Sequence, residues 1–253
     1  MGIANDMSIG YGIAQLASKM GANLFLTYQS GMLKKRLEPI ARELGCQNSN
    51  IIECDVSNDE SVKNAFEQIA SSVPQLDFIV HSIAFSDKNE LKGRYLDTSR
   101  ENFLNTMDIS CYSLPKICKA AENIMPSGGS IITLTYYGAE KAIPNYNVMG
   151  VAKAALEASV RYLASDLGPS GIRVNAISAG PIRTLAASGI GNFKSMLKAS
   201  ESLNPLKRTV THQDIAGTSA YLLSYLSSGV TGEIIHVDCG FHSVGMSADI
   251  VSL

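Results

Sequence analysis

The chain has 253 residues, 45% of them hydrophobic, enough for a large apolar core. Its formal charge is −2 and only 17% of its residues are charged, which excludes the concentrated basic face that nucleic acids and anionic membrane surfaces require. No apolar run has the length of a membrane span, and no secretory signal pattern is present. Five scattered cysteines without a CxxC pair point to reduced thiols in a cytoplasm.

Residues 2–14, GIANDMSIGYGIA, read as a glycine loop entering a helix. Gly2 permits a tight turn, Ser8 is a candidate N-cap, and Ile9, Ile13, Leu16 and Met20 mark one helical face. The opening N–H groups of a helix bind anions. The loop is therefore either a pyrophosphate seat or an ordinary capped turn, because Gly2, Gly10 and Gly12 depart from the strict GxGxxG spacing. Strands are predicted at 23–28, 50–54, 76–81, 130–136, 172–178 and 232–238. Helices are predicted near 9–20, 31–44, 60–72, 98–124, 146–168 and 212–225. This alternation predicts an α/β fold, a parallel sheet covered on both faces, as a single domain over 1–253. In such a fold the loop at Gly2 follows a central strand, yet nothing apolar precedes it. The expectation is a chain started at an internal Met, with a strand-length segment upstream.

The segment 134–158, LTYYGAEKAIPNYNVMGVAKAALEA, leaves a strand, crosses a loop with Pro144 and enters a helix. Tyr146 and Lys153 are seven residues apart, two turns along one face. Tyr136 ends the strand, where open α/β sheets bind their ligands. A phenol can donate to a carbonyl oxygen gaining negative charge, and a nearby ammonium can hold a cofactor hydroxyl. From spacing alone, the pair also fits a half-buried tyrosine and a solvated lysine on an amphipathic helix. His81 and His236 read as core or rim histidines, with no metal-ligand spacing around them. No serine or cysteine sits in a GxSxG elbow.

Blocks along nearly the whole chain resemble the NADH-dependent enoyl-acyl carrier protein reductases, an offshoot of the short-chain dehydrogenase/reductase superfamily. They are GIANDMSIGYGIA, LTYQS (26–30), CDV (54–56), HSIAF (81–85), DISCYS (108–113), IPNYNVMG (143–150), RVNAISAGPIRTLAASGI (173–190) and TGEIIHVDCG (231–240). The offshoot has Tyr-x6-Lys where typical superfamily members have Tyr-x3-Lys, and here position 150 is Gly. The resemblance implies a Rossmann-like doubly wound parallel sheet whose first strand is largely missing from this chain. It implies reduction of trans-2-enoyl thioesters on acyl carrier protein in bacterial-type fatty acid elongation.

By the same resemblance Tyr146 stabilises the thioester oxygen, Lys153 holds the nicotinamide ribose, and Tyr136 lines the substrate pocket and assists. Gly2, Ser8 and Ile9 border the pyrophosphate. Asp55 and Val56 frame the adenine, Ser82 and Ile83 lie along the cofactor, and Ile182 and Thr184 flank the nicotinamide. Gln29, neutral at a strand end, favours NADH over NADPH. The segment 185–203 matches a substrate-binding loop and helix, with Ile190 and Phe193 joining Ala84, Tyr136, Tyr146 and Met149 around the acyl chain. Lys194 and Lys198 stand where the carrier protein docks, and the family assembles as a homotetramer. The competing expectations are a 3-ketoacyl or carbonyl reductase of the same superfamily and a non-catalytic dinucleotide-binding protein.

Overall fold

The computed structural model describes residues 1–126, 128–184 and 193–246. In chain order, α1 (Ile9–Lys19) leads to β1 (Leu26–Tyr28), α2 (Gly31–Glu43) and β2 (Ile51–Glu53). Next come α3 (Asp59–Ser72), β3 (Phe78–His81), α4 (Arg100–Met107) and α5 (Ser113–Ala121). The second half runs β4 (Gly129–Thr135), α6 (Asn147–Leu167), β5 (Ile172–Ala179), α7 (Phe193–Leu203), α8 (His212–Leu223) and β6 (Ile234–Val237). Each predicted strand is found at its place, displaced by a few residues at the ends, and so is each predicted helix except the one over 98–124.

All described ladders are parallel. β3, β4, β5 and β6 are neighbours in that order, with Ile131 opposite Val174 and Ile177 opposite Ile235. β1 pairs with β2 in a separate ladder, Leu26 opposite Ile51. Beside β3, the Met1 amino group donates to Val80 O at 2.9 Å, and Ser82 N donates to Met1 O at 3.3 Å.

The period-2 geometry of a strand sends alternate side chains to opposite faces. Ile131, Val174 and Ala176 pack under α3, α5 and α6, among Phe66, Leu114 and Leu156. Ile132, Leu134 and Ile177 pack under α1 and α8, against Ile13, Ile215 and Leu222. This double coverage explains why β4 and β5 are buried almost throughout. All five cysteines are unpaired and buried.

The helix expected over 98–124 is interrupted. Asp108–Tyr112 form a single π-turn between α4 and α5. Ser113 Oγ donates to Ile109 O at 2.6 Å, and Ser110 Oγ both accepts from Phe85 N and donates to Phe85 O, each at 2.9 Å. Hydroxyls that compete for backbone partners disturb the regular ladder, and π-turns recur at functional sites. Here the turn straps the Phe85 loop to the helix.

His81 closes β3 fully buried, Nδ1 3.0 Å from Thr133 Oγ1 and Nε2 2.8 Å from Ser113 Oγ. Burial, with the Lys153 charge behind it, pushes the imidazole down to about 3. The folded value lies below the ordinary 6.5, so its contribution is complete above pH 6.5 and lost as pH falls towards 3. We expect His81→Gln to flatten the acid limb of stability by on the order of 3 kcal/mol. Urea unfolding of both proteins at stepped pH measures this.

Candidate active site

The loop before α1 is fitted against the end of β3. Gly2 has φ +85°, and a Cβ there would lie 1.9 Å from Ser82 O, so only glycine fits. Ser8 occupies the N-cap position but caps no helical amide. Its Oγ instead accepts from Ala4 N at 3.0 Å and Asn5 N at 3.2 Å, fixing the loop. The helix-opening amides at Ile9 are thereby left without a side-chain cap, and they face the cleft at the positive end of the helix dipole.

Gln29 follows β1, and its Nε2 donates to Asp55 Oδ2 at 3.3 Å. Asp55 Oδ1 accepts from Ser57 N at 2.9 Å and Ser57 Oγ at 2.7 Å. Burial pushes the Asp55 carboxyl up, but these bonds and the Lys116 charge outweigh it and hold it below the usual carboxylate range. Lys116 Nζ donates to Val56 O at 3.0 Å and pairs with Asp59 at 2.6 Å, so the Val56 backbone is held from below.

Gly2, Ser8, Ile9, Gln29, Asp55 and Val56 line one end of a cleft of about 910 Å³. Ser82, Ile83 and Ala84 border its middle, just past β3. Tyr136, Tyr146, Met149, Lys153, Ile182 and Thr184 line the same space. These positions are far apart in sequence but meet because parallel strands end on one side, the rule for ligand sites in open α/β sheets. Ile190 lies outside the described residues, as does the Phe193 side chain; Phe193 itself opens α7. Lys198 is exposed on α7, and the Lys194 side chain is outside the described residues.

The sequence reading missed Gly180 and Pro181, which the strand-end rule could have named, and Phe85, Leu91, Asn105 and Ile109. The last two reach the cleft from α4 and its π-turn, which no local sequence signal announces.

Lys153 is 6% exposed, and its Nζ donates to Leu134 O at 2.7 Å. Burial pushes it down to about 8, opposed by Cys111 and Glu157. One turn on, Glu157 Oε1 accepts from Thr135 Oγ1 at 2.6 Å. The Tyr136 and Tyr146 rings meet edge to face, centroids 5.0 Å apart. Burial, then Asp238, pushes Tyr136 up to about 12. Tyr146 is pushed up further, by burial first and then by Tyr136 and Glu157. Both phenols therefore keep their protons at neutral pH.

Position 150, where a Tyr-x3-Lys protein has its lysine, is closed. A Cβ at Gly150 would sit 2.7 Å from Gly138 O, a backbone atom that cannot move aside alone. Gly150→Lys is expected to destabilise by about 1–3 kcal/mol or more and to yield no 3-ketoacyl reductase; thermal unfolding and an activity assay check both.

The sequence profile of the enoyl-(acyl carrier protein) reductase family matches residues 2–242. The enoyl-(acyl-carrier-protein) reductase (NADH) FabI of Rickettsia conorii is 59% identical over 244 residues, covering 96% of this chain and 93% of that one. The NADPH enzyme of Staphylococcus aureus is 53% identical over 96% of this chain and 95% of its own. Among solved structures, the reductase of Anaplasma phagocytophilum in complex with NAD superposes with TM-score 0.92 at 54% identity, covering 98% of this chain and 92% of that one. FabI of Candidatus Liberibacter asiaticus superposes with TM-score 0.95 at 50% identity, over 98% and 95%. A cleft at the strand ends, two protonated tyrosines and a buried lysine thus sit on a backbone shared along nearly its whole length with these reductases, and the chain belongs to the enoyl-(acyl carrier protein) reductase family.

Proposed function

We propose that the cleft binds NADH and reduces the trans-2 double bond of an enoyl thioester carried on acyl carrier protein, a step of fatty acid elongation. The residues present fit a dinucleotide. Helix-opening amides suit a pyrophosphate, the Asp55 and Gln29 side chains suit an adenosine, and the Lys153 ammonium suits ribose hydroxyls. The bound cofactor supplies a hydride for the β-carbon of the substrate.

The chain's own residues handle the charge that follows. As the double bond accepts hydride, negative charge develops on the thioester oxygen. Tyr146, a neutral phenol, donates a hydrogen bond to that oxygen, stabilising the charge as it forms. Lys153, held by Leu134 O at 2.7 Å, would orient the ribose. Tyr136 packs edge-on to Tyr146, walls the acyl pocket with Ala84 and Met149, and assists as a second donor. Gln29 is neutral and brings no cation to a 2′-phosphate, which favours NADH over NADPH.

The observation that carries this reading is the convergence of Tyr146 and Lys153, with six residues between them, in one cleft with the Gln29–Asp55 pair. The Gly138–Gly150 contact favours it over a 3-ketoacyl reductase. The reading extends to a homotetramer in the cytoplasm. No helix among the described residues is long and apolar enough to cross a membrane. The test follows NADH absorbance on addition of a trans-2-enoyl thioester, with a 3-ketoacyl thioester as control. Loss of NADH with the enoyl substrate alone is expected. Consumption with the ketone alone would establish the carbonyl reductase, and none with either would leave a binding protein.

A further inference from the structure

Tyr146 stands between two residues with left-handed backbones, Asn145 at φ +61° and Asn147 at φ +39°. Such conformations are rare outside glycine, and asparagine is among the few residues that tolerate them. α6 therefore starts with a residue in a conformation foreign to helices, with Tyr146 as its N-cap. Strain of this kind persists only where the surroundings over-determine it.

The surroundings are specific. Asn147 Nδ2 donates to Leu91 O at 3.1 Å and to Gly93 O at 3.3 Å, across more than fifty residues. Leu91 lines the cleft and clusters with Val148, Met149, Phe103 and Tyr146. The Leu91–Gly93 segment is anchored at its other side, where Glu90 accepts from Ser99 N and Ser99 Oγ, each at 2.8 Å. The Tyr146 ring lies flush on Gly138, where a Cβ would come within 2.4 Å of it. The phenol has little freedom of its own, so its height in the cleft follows its backbone.

From this we infer that Asn147 is a positioning residue. Its forked amide clamps the Leu91–Gly93 wall of the acyl pocket to the backbone that carries Tyr146, so that the wall and the hydroxyl keep one spacing. The inference rests on Tyr146 being the donor to the thioester oxygen. Asn147 does not line the cleft and acts only through the tyrosine.

Two substitutions separate the clamp from the backbone. Asn147→Gly keeps the left-handed conformation at no strain and removes the amide. Asn147→Asp keeps the size and the tolerance of positive φ but turns an acceptor towards two carbonyl oxygens. Both are expected to lower kcat with a trans-2-enoyl thioester about tenfold, the Asp variant more, because misplacing a catalytic donor by a fraction of an ångström weakens transition-state contacts. NADH binding, read by fluorescence titration, is expected to stay within about twofold of the parent, since the cofactor contacts are untouched.

Wild-type kcat in Asn147→Gly overturns the inference. So does a parallel fall of kcat, NADH affinity and thermal midpoint, or failure of both variants to fold, since either makes the contact merely structural. Tyr146→Phe is measured alongside: if it keeps full activity, the reading of Tyr146 fails, whatever Asn147 does.

Discussion

Tyr146→Phe is expected to lower kcat for enoyl reduction by about 10²–10³-fold, the usual cost of removing one donor from a developing oxyanion. NADH affinity should stay within about twofold, because in the proposed function the hydroxyl's contact strengthens only in the transition state. The substitution is clean in this setting. The ring that stays behind keeps its edge contact with Tyr136 and its seat on Gly138, so what is lost is one oxygen and its proton. That proton is present at working pH, because burial holds the phenol well above its ordinary value. Tyr136→Phe is the partner experiment. Tyr136 shares the cleft and is also protonated, its hydroxyl pushed up to about 12. A milder loss is expected there, since the proposed role of Tyr136 is to wall the pocket and assist. Pre-steady-state measurement of NADH oxidation separates the two, and a larger loss at Tyr136 than at Tyr146 would exchange their roles.

Lys153→Met is expected to weaken NADH binding by about 10–100-fold, the scale of losing one or two hydrogen bonds to a charged group, and to lower kcat as well. The lysine has three donors. One is committed to Leu134 O at 2.7 Å, which locks the ammonium in place at the floor of the cleft. The methionine fills a similar volume but leaves that carbonyl without its donor.

The pH dependence follows from the same burial. The ammonium is pushed down to about 8 from 10.5. In the free protein, kcat/KM for NADH should therefore decline as pH rises through about 8, and this limb should be absent from the Met variant. The stability effect has the opposite sign. Between pH 8 and 10.5 the unfolded chain binds the proton that the folded chain has released, so this group's contribution to stability rises with pH over that window. A kcat/KM that stays flat to pH 10 in the wild type would remove Lys153 from the cofactor site.

What was legible in the residue order was whatever depends on short range. The strands at Gly129–Thr135 and Ile172–Ala179 announce themselves as β-rich runs with apolar residues on both faces, because both of those faces are covered. The spacing of Tyr146 and Lys153 near one face was legible from helical periodicity, although Tyr146 proves to be the N-cap of α6 and not part of its regular turns. Family resemblance supplied the chemistry of that face, since periodicity cannot tell a catalytic pair from a solvated one.

Other features depend on partners distant in the chain, and only the tertiary structure decides them. Ser8 is a local exception: it reads as a helix cap, but its hydroxyl turns back to Ala4 and Asn5 in its own loop. The break at Asp108–Tyr112 is invisible in a segment of good helical pattern, because the loop at Phe85 that captures Ser110 lies 25 residues away. The low Lys153 value, the protonated tyrosines and the steric closure of position 150 all come from the density of surrounding atoms. Sequence periodicity by itself determined which residues share a face. Tertiary packing decided which of those faces are dry and how their protons are held, because desolvation and backbone contact are properties of neighbours brought together by folding rather than by the order of residues.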